Sequence, residues 1–251
     1  MRFKTLSLSF ALIGLIGCAA PTGDRPTISK EPQTRATQVN ANPQADRITA
    51  RTAVRNFVEV VETVEPVAET VCRNRAPRGT NCDFRIVVDD RPGAPPNAFQ
   101  TIDETGRPLI AFTIPLIAQS RNRDELAFIL AHEAAHHIRG HLARQRQNAT
   151  VGAVVFGQLA GVIGSGNPEA VQAAQEFGAT LGARTYSKDF ELEADRLGTI
   201  IAAQAGYDPV LGAEFFFRIP DPGNRFLGTH PANADRVRVV QETAAGLRGG
   251  T

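Results

Sequence analysis

The segment His132-Glu133-Ala134-Ala135-His136 sets two imidazoles four residues apart, with a carboxylate next to the first. On a helix, residues four apart lie on one face, about 6 Å along the axis from one another. His132 and His136 can then hold one metal ion while Glu133 reaches a water on it. Two imidazoles with an open coordination position suit zinc, and Glu133 would serve as general base. Asp124 to Ala131 runs into the motif without Gly or Pro, as a helix requires, and four of the chain's five histidines fall between positions 132 and 141.

A hydrolytic zinc site needs a third protein ligand. His136 is followed by His137-Ile138-Arg139-Gly140-His141, which does not continue H-x-x-G-x-x-H, so the ligand comes from elsewhere. Glu191-Leu192-Glu193-Ala194-Asp195, on a second helix expected from Asp189 to Ala205, supplies candidates. Glu191 and Asp195 share a face; one can bind zinc while the other accepts the N–H of a zinc-bound imidazole. His137 lies one step off the ligand face and reads as a packing or surface histidine. If the helix continues, His141 is half a turn round from His132 and points away.

With H-E-x-x-H followed by Glu191-x-x-Ala194-Asp195, the chain resembles the metallopeptidases of the CAAX prenyl protease-1 and HtpX type, which are gluzincins, over about Phe84 to Arg236. It is most similar to their soluble envelope lipoproteins. The resemblance implies Glu191 as third ligand to one Zn2+ per chain, with Asp195 behind a ligand. It also implies that His230 and Arg236, in a His-Pro…Arg element, lie near the zinc as catalytic groups; Tyr186 is a further candidate donor to the oxyanion. The implied fold is α+β: a mainly helical zincin-like domain with a small β-sheet above the metal-binding helix. The edge strand of that sheet would pair with extended substrate at Asn97, Ala98 and Phe99, since backbone hydrogen bonds can bind any extended peptide.

The remaining elements must position this site. Arg51 to Arg75 repeats apolar residues at helical spacing, with Val54, Phe57, Val58, Val61 and Val64 as the expected stripe. Phe84–Val88, Asn97–Ile102 and Leu109–Thr113 read as strands. Leu142 to Gln147 reads as the exposed end of the metal helix. Val151 to Ile163 is apolar and glycine-rich but too short to span a bilayer; it is expected as a packed helix, the alternative being a mobile cover that touches a membrane or partner. Phe215-Phe216-Phe217 is expected in the core.

Met1-Arg2-Phe3-Lys4, an apolar Leu6 to Gly17, and Leu15-Ile16-Gly17-Cys18 resemble a lipoprotein signal and its lipobox. The expected organisation is a signal peptide over 1–17, lipidated Cys18 and a flexible tether over 18–48, and a metallopeptidase domain over 49–251. Ala19, where an Asp would favour inner-membrane retention, points to the outer membrane, facing the periplasm. Cys72 and Cys82 bracket a polar stretch, and a disulfide between them would add about 2–3 kcal/mol; free thiols or a second metal site are the alternatives. A formal net charge of +1 indicates neither nucleic acid nor strong attraction to anionic lipid. The expected function is zinc-dependent cleavage of unfolded or misassembled envelope proteins, with a membrane contact through the lipid anchor. A chaperone-like lipoprotein with a latent or structural zinc site is the alternative.

Overall fold

The computed structural model describes residues 49–163, 167–185, 187–221 and 231–249. It is mainly helical with one three-stranded sheet. Helix α1 (Ala50–Arg75) opens at Thr49, whose side chain accepts the Thr52 N–H. Its buried stripe is Ala53, Phe57, Val60, Val64, Ala68, Val71 and Cys72. The stripe is rotated from the expected one: Val54 and Val58 are exposed, because small Ala53 and Ala68 face the core and leave these valines outside. Cys72 is disulfide-bonded to Cys82, with Cα atoms 5.7 Å apart, joining the end of α1 to the approach to the sheet.

Strands β1 (Arg85–Asp89), β2 (Ala98–Ile102) and β3 (Pro108–Thr113) assemble in the order β1-β3-β2. β1 runs parallel to β3 and β2 antiparallel to it, with Phe99 opposite Ala111. β2 is therefore an edge strand. The turn from β2 to β3 is held by Asp103, whose carboxylate accepts the backbone N–H groups of Thr105 and Arg107, and it uses Gly106 at φ +85°.

After the short α2 (Ile114–Gln119), α3 (Arg123–Ile138) carries the motif through the middle of the molecule. Asn122 caps it by accepting the Glu125 N–H, and Asp124 and Glu125 complement its N-terminal dipole. Glu125 is buried and takes a bidentate pair of hydrogen bonds from Arg218, at 2.5 and 2.6 Å. That ion pair fixes the 3-10 helix Ala213–Arg218, which follows α7 (Pro209–Gly212), against the start of α3. Of the three phenylalanines, Phe216 is buried, Phe215 partly buried and Phe217 exposed. They split because successive residues of a tight helix face different directions.

The metal helix ends at Ile138 and does not continue through His141, contrary to the sequence expectation. Gly140 adopts φ +65°, and the Arg139 and Gly140 N–H groups close onto Ala135 and His137 carbonyls, ending α3. A new helix, α4 (His141–Ile163), starts there and pairs with α5 (Pro168–Arg184). The two approach backbone to backbone: a Cβ on Gly152 would lie 2.0 Å from the Gly178 carbonyl oxygen. The expectation of a packed helix with a covered apolar face is corrected too. Among the described residues, Val151, Val154, Val155, Leu159, Val162 and Ile163 are all exposed, because the glycines bring α4 onto α5 and leave its valines outward. No helix among the described residues is long and apolar enough to cross a membrane.

Helix α6 (Ser187–Gln204) crosses α3, and α8 (Asn233–Gly249) packs on α6 from beyond. The crossing point is Gly198, where a Cβ would stand 3.0 Å from the His132 Cα and backbone N. A mid-helix glycine costs roughly 1 kcal/mol relative to alanine; here it permits close helix contact. Replacing it by a branched residue should force the helices apart. Gly198→Val is expected to destabilise the domain by about 1–3 kcal/mol and to weaken zinc binding, read by thermal unfolding and zinc titration. Unchanged stability and zinc affinity would contradict the tight crossing.

Candidate active site

α3 presents His132 and His136 one above the other, and α6 presents Glu191, Asp195 and Gly198 at spacings of four and three, which keeps them on one face. Because Gly198 sits against His132, the two carboxylates meet the two imidazoles. His132 Nε2 and His136 Nε2 are 3.0 Å apart. Glu191 stands 3.6 Å from the first and 3.4 Å from the second. One ligand atom from each of the three residues falls within 4.8 Å of the others. Ligands held roughly 2.0–2.2 Å from a tetrahedral zinc lie about 3.4 Å from one another, so the separations and the donor set fit zinc.

Asp195 is fully buried, with an oxygen 3.0 Å from His132 Nδ1. Accepting that N–H leaves the Nε2 lone pair of His132 turned toward Glu191 and His136. Arg236 bonds both Asp195 oxygens, Nε at 2.8 Å and Nη2 at 2.7 Å, and lies 3.9 Å over the Phe216 ring. Burial favours a protonated Asp195, but the Arg236 guanidinium holds its carboxyl below the ordinary range. Arg236 lines the same cavity as the histidines, with Nη2 3.4 Å from Glu191.

The two imidazoles are tuned in opposite directions. Burial lowers the pKa of His132, yet hydrogen bonds to Asp195 and Glu191 outweigh it and push it up to about 9. His136 is driven down to about 3 by burial and by neighbouring His132. Burial raises the Glu133 carboxyl above its usual range, the direction that suits a group required to take up and release a proton.

These groups open into a cavity of about 740 Å³. Asn97, Ala98 and Phe99 line it, together with Gln100, which the sequence reading did not single out. The Thr113 N–H donates to the Asn97 carbonyl. Alternation then turns the backbone groups of Asn97 and Phe99 toward β3 and those of Ala98 and Gln100 toward the open edge. The Gln100 N–H bonds Glu133, which ties the edge strand to the general-base candidate. The apolar walls include Leu116, Phe128, Ile129 and Phe216.

His137 is a packing residue, edge-on to Phe84, with Nε2 2.7 Å from the Asn81 carbonyl. His141 does not point away. The turn at Gly140 swings it back until its Nδ1 is 2.9 Å from His136 Nδ1, and its Nε2 is 3.1 Å from Glu193. A glycine straight after a basic residue at a helix end is a stop signal, and Arg139-Gly140 carried it. His230, Tyr186 and Cys18 lie outside the described residues.

The model of peptidase family M48 matches residues 55–244. The chain belongs to that family. M48 peptidases are zinc-dependent metallopeptidases, and the His132, His136 and Glu191 cluster is compatible with that. A Vibrio cholerae protein that provisionally carries the name beta-barrel assembly-enhancing protease is 31% identical over 147 residues, which is 54% of this chain and 30% of that protein. The beta-barrel assembly-enhancing protease of Escherichia coli is 28% identical over 145 residues, 53% of this chain and 30% of its own length. The mitochondrial metalloendopeptidase OMA1 of Schizosaccharomyces pombe is 28% identical over 134 residues, 51% of this chain and 38% of its own. The matched regions thus span only about a third of these relatives.

The pKa pattern of this M48 site predicts the proton balance of zinc uptake. Metal-free His132 stays a doubly protonated imidazolium up to about pH 9, whereas His136 is a neutral imidazole above about 3. Zinc binding at pH 7 therefore displaces one proton from His132, and apparent affinity should rise with pH toward 9, by roughly tenfold per unit, then level off. Calorimetry in buffers of different ionisation enthalpy measures this; a pH-independent affinity between 7 and 9 would contradict it.

Proposed function

We propose that this chain is a zinc-dependent endopeptidase that cleaves extended segments of unfolded or misassembled envelope proteins. The observation that carries the reading is the meeting, in one cavity, of His132, His136 and Glu191 with Glu133 and an edge strand. His132, His136 and Glu191 would hold the metal. Zinc, when bound, supplies Lewis acidity for the scissile carbonyl and lowers the pKa of water.

The protein's own groups do the rest. Substrate lies in extended form against β2, where Ala98 offers its backbone N–H and carbonyl and Gln100 its carbonyl, and the apolar walls receive its side chains. Glu133 accepts a proton from the attacking water and passes it to the leaving amine. Asp195, fixed by Arg236, keeps His132 in the tautomer that binds metal. Arg236 also places positive charge beside the site, and with His230 it remains the candidate for stabilising the developing oxyanion.

The names of the relatives support an envelope setting. The sequence around Cys18 supports a lipid anchor, the tether over 18–48 and a place at the outer membrane facing the periplasm. A tethered domain would sample unfolded chains near that surface.

The test is degradation of a permanently unfolded protein by the zinc-loaded full chain beside its Glu133→Gln variant at equal zinc content. Wild type is expected to cleave, and the variant to lose activity by about 10²–10⁴-fold. Zinc-loaded protein that binds unfolded chains equally well with either residue, and cleaves with neither, would overturn the enzyme reading in favour of a chaperone-like binder.

A further inference from the structure

Behind His136, on the side away from the metal position, a run of polar groups leads out to the surface, and the catalytic reading leaves it without a role. His136 Nδ1 is 2.9 Å from His141 Nδ1. His141 Nε2 is 3.1 Å from Glu193 Oε2, and Arg144 Nη1 is 2.8 Å from the same oxygen. The His141 ring is held in place: it is 4% exposed and stacks flat on Phe190, centroids 4.7 Å apart and planes 9° from parallel. Arg144 lies 4.2 Å from the centroid of that same Phe190 ring.

We propose that His141 and Glu193 are positioning residues that orient His136 and fix its tautomer for metal binding. The inference rests on the reading of His132, His136 and Glu191 as metal ligands. The direction of each hydrogen bond then follows. Metal can take only the Nε2 lone pair of His136, so its single proton is on Nδ1 and is donated to His141 Nδ1. His141 accepts there and carries its own proton on Nε2, where it faces the acceptor-only carboxylate of Glu193. Arg144 holds that carboxylate. Each imidazole ligand thereby has its own support: His132 on Asp195 and Arg236, and His136 on His141, Glu193 and Arg144. The first support is buried, Asp195 completely. The second reaches the edge of the fold, where the Glu193 side chain is 36% exposed.

Glu193 stands two residues from Glu191 on α6 and reaches His141 from there, and His141 is within reach of His136 only because Gly140 breaks the helix. Both α6 glutamates thus serve one site, the first toward the metal and the second toward its ligand's back.

The test is the zinc dissociation constant of the full chain, measured by competition with a chromogenic chelator, for wild type, His136→Ala, His141→Phe, His141→Asn and Glu193→Gln. Phenylalanine keeps the stack on Phe190 and removes both nitrogens; asparagine restores an acceptor where Nδ1 stood. His141→Phe should weaken zinc binding by about 10–100-fold with the unfolding temperature of the metal-free protein unchanged. His141→Asn should recover most of that loss, and Glu193→Gln should lose affinity by roughly tenfold or less. In the zinc-loaded wild type, ¹⁵N chemical shifts should report His136 protonated at Nδ1. Wild-type affinity in His141→Phe, or His141→Asn as weak as His141→Phe, would overturn the proposal. If His141→Phe does not fold, Glu193→Gln, at a partly exposed position, and the His136 shifts decide it. Equal zinc binding by wild type and His136→Ala would instead show that the ligand assignment itself is wrong.

Discussion

The site depends on one close approach, the crossing of α3 and α6 at His132 and Gly198. Everything at the centre is measured from it. Asp195 and Glu191 lie about one and two turns N-terminal to the glycine on α6, so their reach to the imidazoles is set by the distance between helix axes. A bulkier contact would widen that distance, and short carboxylate side chains have no slack to follow. The cost of a glycine in the middle of a helix is offset by the apolar packing of α3, which is buried along most of its length.

Around that crossing, buried charge is balanced rather than avoided. Asp195 and Arg236 neutralise one another under His132, and Glu125 and Arg218 do so at the start of α3. Such pairs add little net stability, but each has a positional consequence. The first orients a metal-ligand candidate. The second anchors the segment that carries Phe215 and Phe216, which wall the cavity. With His132 pushed up to about 9 and His136 down to about 3, the metal-free cluster stores one proton that a cation would displace.

How much of this the sequence disclosed depends on the range of the interactions. The H-E-x-x-H spacing and the 191–195 carboxylates are local patterns on helices, so they named the central cluster, and the strands, with their Gly106 turn, were equally legible. What escaped depended on a break or on a third dimension. His141 was misread because a helix was extended through Gly140, whose positive φ turns the chain back. Glu193 was passed over because its partner is that same histidine. Gln100 escaped because strand alternation shows only once β2 is known to pair with β3 through Asn97. On α1 the expected stripe held at Phe57, Val61 and Val64 but failed at Val54 and Val58, which are exposed while Ala53 and Ala68 are buried. The segment from Val151 to Ile163 looked like a packed helix with a covered apolar face, yet Gly152 and Gly157 turn inward to α5 and its valines outward.

The central claim is that the α3–α6 crossing places His132, His136 and Glu191 around one zinc ion. Anomalous diffraction at the zinc edge from crystals of the zinc-loaded chain tests it most directly. The account predicts a single peak within about 2.2 Å of His132 Nε2, His136 Nε2 and a Glu191 oxygen. A peak elsewhere, or one bound by Glu193 in place of Glu191, would contradict it.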